Sequence, residues 1–263
     1  MANYREAIMI GIVIPAHNEA ALIGACLVHA RACAHDPQLR GESVEIVVVA
    51  DDCNDATVTT ALNVGVIVLH IQARNVGLAR AAGAELMLSR GARWLAFTDA
   101  DTLVSSDWLS QQLSLDSDAV CGTVEVTDWT PHGNDAPFLA RHFAISYQDA
   151  DDHRHVHGAN MGVSADAYRR AGGFQALASS EDVALVAALE RSGASISWSA
   201  RPRVCTSARK IARAPAGFAE ALRHAVACRS SPVVIDASAE VEVPSAARNP
   251  LLMRSAKFVP VAS

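Results

Sequence analysis

WLAFTDADT, residues 94–102, is the stretch that decides how this chain is read. Trp94–Phe97 is an apolar run of strand length, and it gives way to two carboxylates, Asp99 and Asp101, separated by Ala100. In extended chain, residues two apart point to the same side, so both carboxylates face one point just beyond the strand. Open α/β sheets bind their ligands there, outside the carboxyl ends of the strands. Two hard oxygen donors suit Mg²⁺ or Mn²⁺, which bind through one or two carboxylates plus substrate phosphates. The competing reading is that Asp99 caps the following turn and Asp101 is solvated. An Asp-x-Asp alone does not decide between them.

Upstream, the pattern that frames this strand repeats. Ile8–Ile14 is an apolar run dominated by β-branched Ile and Val, as expected of a strand buried on both faces, and Pro15 is expected to end it. Asn18 and Glu19 open an Ala/Leu-rich helix to about Cys33, with Asn18 as N-cap. Val44–Ala50 is a second buried strand and Asp51-Asp52-Cys53-Asn54-Asp55 the turn after it. Val66–Ile71 is a third strand, and Asn75-Val76-Gly77 leads into a helix from about Leu78 to Ser89. Strands alternating with helices predict right-handed βαβ units and a mostly parallel sheet, an α/β fold. The first turn, PAHNEA, has no G-x-G-x-x-G, so the dinucleotide-cofactor fingerprint is missing.

Downstream, the alternation loosens. Helices are expected at Asp107–Leu115, Pro137–Gln148, Ala165–Arg170, Asp182–Arg191 and Ala216–Cys228. Strands are expected at Ala119–Val126 and Met161–Ser164, with two closing strands at Ser195–Ser199 and Arg203–Thr206. Residues 1–230 are read as one domain, with halves at about 8–126 and 127–230, and 231–263 as a loosely packed tail.

Composition bounds the function. Of 263 residues, 51% are hydrophobic, enough for a large core, and a net charge of −6 with 5% aromatics argues against a nucleic-acid binder. Residues 201–230 nevertheless carry seven Lys/Arg against one acid, Glu220, which fits either phosphate contact or a solvated helix face. The six cysteines show no C-x-x-C spacing, and no apolar run is long enough to span a bilayer. The expected setting is a reducing cytoplasm, with the protein soluble or at most peripheral to a membrane.

Four pieces then line up in order: IGIVIPAHNEA, VVVADDCNDAT, TDADT, and HGANMGVSADAYRRAGGF followed by SSEDVAL. The ordered set resembles family 2 of the nucleotide-sugar glycosyltransferases, which have the GT-A fold, over about residues 8–205. The resemblance implies a single GT-A-like domain with an acceptor-side subregion toward its C-terminus. It also implies transfer of a hexosyl unit from a nucleotide-diphosphate sugar to a hydroxyl on a small molecule, a glycan or a lipid-linked acceptor. By position, it implies that Pro15, Asn18 and Glu19 line the nucleotide and that one of Asp51 and Asp52 binds base or ribose. Asn75, Gly77 and Arg80 fall where base and diphosphate are contacted. Asp99 and Asp101 match the metal motif for Mn²⁺ or Mg²⁺, with Asp101 as the direct ligand. Glu181-Asp182 match the late acidic pair, whose aspartate takes the acceptor's proton. Cys53 and Asn54 depart from the family's usual Gly-Ser.

The chemistry explains the residue types. A leaving diphosphate gains negative charge that a divalent ion stabilises, and an acceptor hydroxyl needs a carboxylate to remove its proton. A single displacement of this kind inverts the anomeric centre. A retaining transferase on the same fold and a nucleotidyltransferase making the sugar nucleotide are the alternatives; the latter usually carries a Gly-rich basic loop where PAHNEA stands. For Asp182, an acid favoured by a helix N-terminus is the plainer reading. His153, His155 and His157 lie at i, i+2, i+4, where one strand face offers three zinc ligands; a polar acceptor loop is the other reading. Arg209 and Lys210 are candidates for a cation on the phosphates.

Overall fold

The computed structural model describes residues 9–177, 179–210 and 217–230. The tail expected at 231–263, Ile8 of the first strand, Arg213 of the basic segment and Ala216 at the start of the last helix lie outside them.

Eight strands form one sheet in the order β3-β2-β1-β4-β7-β6-β8-β5. The first half is the parallel set β3 (Ile67–Ile71), β2 (Ser43–Asp51), β1 (Met9–Ala16) and β4 (Ala92–Phe97). The second half is mixed: β7 (Met161–Ser164) runs antiparallel to both β4 and β6 (Ala119–Glu125). β8 (Ile196–Thr206) is parallel to β6, and β5 (Thr102–Val104) pairs antiparallel with the end of β8.

Period-two alternation sorts β1 between two cores. Ile10, Ile12 and Ile14 face α1 (Ile23–Ala34) and α4 (Trp108–Leu113), packing with Leu27 and Trp108. Met9 and Val13 face the opposite side, where Met87 of α3 (Val76–Ser89), Phe97 and Leu189 of α7 (Glu181–Arg191) lie. Gly11 lets α3 approach on that side: a Cβ there would stand 2.7 Å from that of Met87. α2 (Thr57–Val64) packs beside α1, and α6 (Ala165–Ala171) beside α7. A third, smaller cluster joins Leu139 of α5 (Ala136–Ser146) to Leu222 and Ala225 of α8 (Phe218–Ser230).

Two expectations are corrected here, one short strand was not foreseen, and the histidine segment follows the loop reading. Asn18 does not cap α1, which begins at Ile23; its φ is +54° and its side chain accepts from Asn54 N–H (2.9 Å). Tertiary bonding between two turns has displaced the local cap. The two closing strands are one, β8, running through Pro202 at a register shift opposite Gly122 and Val124, so the missing N–H breaks no regular ladder. The three-residue β5, immediately after Asp101, is too short to signal itself. Residues 153–157 are irregular, not a strand.

Candidate functional site

The turns after β1 and β2 are stitched to each other. Cys53 Sγ donates to Ala16 O (3.3 Å), Glu19 N–H to Thr57 Oγ1 (2.8 Å) and Ala20 N–H to Asp55 Oδ2 (3.1 Å). Of the two residues that depart from the family pattern, Cys53 joins the stitching through its side chain and Asn54 through its backbone N–H to Asn18 Oδ1 (2.9 Å). Pro15 does not end β1 as expected: it lies within the strand, paired with Val49, and the pairing continues to Ala16.

Asp51 and Asp52 part ways. The buried Asp51 carboxylate accepts three backbone N–H groups, from Ala73 (2.7 Å), Arg74 (2.8 Å) and Asn75 (2.8 Å), so it fixes the loop that enters α3. Asp52, with φ +51°, is open to solvent and pairs with Arg74 (3.1 Å). Asn75 caps α3 through Leu78 N–H (2.9 Å) and donates to Leu177 O (2.9 Å). Gly77 lies against the loop before α7, where a Cβ would sit 2.5 Å from Gln175 O. Of the seven non-glycine residues with positive φ among those described, Asn18, Asp52, Arg74 and Ser180 lie in these site turns. Such conformations persist where tertiary contacts over-determine them.

Two guanidiniums hold the acids. Arg80, projecting from α3 and only 3% exposed, donates Nη2 to Asp99 Oδ1 (2.6 Å) and Nη1 to Glu181 Oε1. It also lies over the Phe174 ring, 5.8 Å from the centroid, and its Nε has no partner among the described residues. Gly158 makes this possible, because any Cβ there would collide with the guanidinium. The same glycine donates its N–H to Asp182 Oδ2 (2.8 Å). Arg209, just past β8, bridges Glu19 Oε1 (2.5 Å) and Asp101 Oδ2 (3.1 Å). Burial pushes the Asp101 carboxyl up to about 6 against the opposing pull of Arg209, and burial likewise raises Glu181 against Arg80.

The expected residues therefore assemble on one edge, but with unequal freedom. The Asp99 side chain is 34% exposed and engages Arg80 through Oδ1 only, whereas that of Asp101 is 7% exposed beneath Arg209. Two carboxylates with an oxygen to spare fit a divalent ion completed by phosphates. Among the described residues no group of three or more His, Cys, Asp or Glu forms a closed all-protein metal cage.

The histidines make no such cage either. Their rings stack, His153 on His155 (5.5 Å between centroids) and His155 on His157 (5.9 Å), with Tyr147 stacked on His155 (4.2 Å). Val124 N–H donates to Tyr147 Oη (2.9 Å), leaving the phenol hydrogen for His157 Nε2 (2.9 Å). Burial pushes the His157 imidazole down to about 3, so it is a neutral acceptor that orients the turn into Gly158. The roles of Gly158 and Tyr147 carried no signal in the sequence: one acts by lacking a side chain, the other through a hydroxyl directed across the fold.

The model of the family described as Glycosyl transferase family 2 matches residues 11–172. Among solved structures, the mannosyltransferase PcManGT from Pyrobaculum calidifontis, in complex with GDP-Man and Mn²⁺, is similar with a TM-score of 0.57. Identity is 18%, covering 83% of this chain and 60% of that one. S. aureus TarS 1–349 in complex with UDP-GlcNAc gives a TM-score of 0.57 and 14% identity, covering 80% of this chain and 62% of that one. A mycobacterial protein gives 0.51 and 17%, covering 79% and 73%. At these identities the likeness is one of fold. The chain spans about three fifths of the length of the first two. No curated protein sequence matches it.

Proposed function

The chain belongs to glycosyl transferase family 2, and we propose that it transfers a sugar from a nucleotide-diphosphate sugar to an acceptor hydroxyl with inversion. The observation that carries this reading is the convergence on Arg80: its guanidinium holds Asp99 on one side and Glu181, next to Asp182, on the other. A donor-side carboxylate and an acceptor-side carboxylate are thereby fixed relative to one another, as a single in-line displacement requires.

In this reading Asp99 and Asp101 hold a divalent ion. Bound there, Mn²⁺ or Mg²⁺ supplies charge stabilisation for the departing diphosphate. The solved relative with Mn²⁺ and GDP-Man supports that choice of ion, and UDP-GlcNAc in another makes UDP and GDP sugars the first donors to try. Asp52, exposed at the mouth of the stitched turns, is the better candidate of its pair for a contact to base or ribose, since Asp51 is committed to backbone. Asn18, on the facing turn, borders the same mouth, whereas the Glu19 carboxylate is buried against Arg209. Asp182 takes the acceptor's proton; Gly158 N–H fixes one of its oxygens (2.8 Å) and keeps the carboxylate aimed. Glu181, bound to Arg80, positions rather than reacts. No described helix is long and apolar enough to cross a membrane, and all six cysteines are free, which suits a reducing compartment such as the cytoplasm.

Thermal-shift screening of UDP-, GDP- and dTDP-sugars with Mn²⁺ and Mg²⁺ identifies the donor. With that donor, Asp182→Asn keeps donor binding and loses at least about 10²-fold in transfer rate, the scale of a general base. A mutant that transfers at the normal rate overturns the assignment. The anomeric configuration of the product checks inversion.

A further inference from the structure

Arg209 occupies the place where the reaction needs a different cation. Its guanidinium spans Asp101 Oδ2 (3.1 Å) and Glu19 Oε1 (2.5 Å), and both acidic side chains are only 7% exposed. Two buried carboxylates side by side are costly without a positive charge between them, and Arg209 supplies it. Unlike Arg80, it is not enclosed: its own side chain is 29% exposed, against 4% for Arg80. It projects from the segment following β8, three residues beyond Thr206, whose partner across the ladder is Thr102. The ladder therefore delivers Arg209 to Asp101 without burying it.

A divalent ion and a guanidinium repel each other and compete for the same oxygen, so Asp101 Oδ2 serves one at a time. Asp99, whose Oδ2 has no partner among the described residues, gives the incoming ion a first contact. One carboxylate is a weak site for Mg²⁺ or Mn²⁺, which need substrate phosphates to complete their shell. The diphosphate brings those oxygens, and it also offers the displaced guanidinium an anion with matching fork geometry.

We propose that Arg209 is an exchangeable counter-ion of the metal pair: it holds Asp101 and Glu19 in the donor-free protein and yields Asp101 when ion and diphosphate arrive together. Cation binding is thereby made dependent on the donor. This rests on the assignment of Asp99 and Asp101 as the metal pair.

The test is Mn²⁺ binding to the full chain, followed by electron paramagnetic resonance or calorimetry, alone and with saturating GDP or UDP, corrected for Mn²⁺ bound to free nucleotide. The wild type binds Mn²⁺ about tenfold or more tighter with its preferred diphosphate than without. Arg209→Met binds Mn²⁺ alone about tenfold tighter than the wild type, so the nucleotide dependence flattens. Arg209→Lys, which keeps the charge but not the fork, falls between the two; its melting temperature and that of the Met variant establish folding. If both folded variants bind Mn²⁺ alone no tighter than the wild type, the exchange is wrong while the metal pair stands. If no form binds Mn²⁺ even with nucleotide, and Asp99→Asn changes nothing, the metal assignment itself falls and the exchange with it.

Discussion

Arg80 and Arg209 perform the same electrostatic task in different surroundings. Each bridges two acids: Arg80 joins Asp99 to Glu181, and Arg209 joins Asp101 to Glu19. Arg80 projects from a helix about a third of the way along the chain and is enclosed by Phe174 and the backbone at Gly158. Arg209 follows the last strand and keeps one side open to solvent. A fully enclosed guanidinium cannot leave without exposing uncompensated buried charge, so it fixes geometry. A half-open one exchanges at modest cost, so it suits a step in which ligands change places.

The sharpest way to break this contrast is Arg80→Met. It strands Glu181 and the inner oxygen of Asp99, and unfolding free energy should fall by about 3–5 kcal/mol, as when one partner of a buried ion pair is removed. Urea titration measures it, and the double variant Arg80→Met/Glu181→Gln should recover part of the loss. A loss under about 1 kcal/mol would make Arg80 no different from a surface pair.

A second effect separates the two sides by pH. His157, beside Gly158, titrates near 3 in the fold and near 6.5 when unfolded, so the unfolded chain binds more protons between those values. Its contribution is full above about 6.5 and is lost as pH falls, by about 1–2 kcal/mol at pH 5. Asp101 has the opposite sign: with its carboxyl raised to about 6, the folded state binds the extra proton, so stability declines as pH rises from about 4 to 6. The denaturation midpoint at pH 7 minus that at pH 5 should therefore fall in His157→Gln and rise in Asp101→Asn. Identical pH slopes in both variants would erase the distinction.

The smallest effect belongs to Arg209→Met. With its guanidinium partly solvated and Asp101 able to take up a proton, its unfolding free energy should fall by less than that of Arg80→Met, about 1–2 kcal/mol, even though Asp101 and Glu19 are buried. A thermal melt checks this, and a loss as large as that of Arg80→Met would merge the two clamps into one structural network.

The parallel strands and the helix from Asn75 were readable because each element repeats its own signal: β-branched runs at Ile10–Ile14 and Val47–Val49, and a helix beginning beside a capping Asn. The late elements were harder. Pro202 looks like a strand end until β6 is seen to shift register beside it, and Asn18 looks like a helix cap until Asn54 takes its side chain. The histidines at i, i+2 and i+4 suggested a strand face, but their rings stack along an irregular segment instead.

The sequence by itself determined which acids exist and where they lie: Asp51 and Asp52, Asp99 and Asp101 at strand ends, Glu181 and Asp182 at the start of a helix. Strand periodicity and turn position are local, so one chain suffices to read them. Only the tertiary structure decided what each acid is bound to. Asp51 is committed to three amides, Asp99 and Glu181 share one buried arginine, and Asp101 lies under Arg209 from 108 residues further along. Partners that distant in sequence meet only when the sheet closes. Whether a carboxylate is free, fixed or exchangeable is a property of that meeting, because burial and the neighbouring charge set its energy.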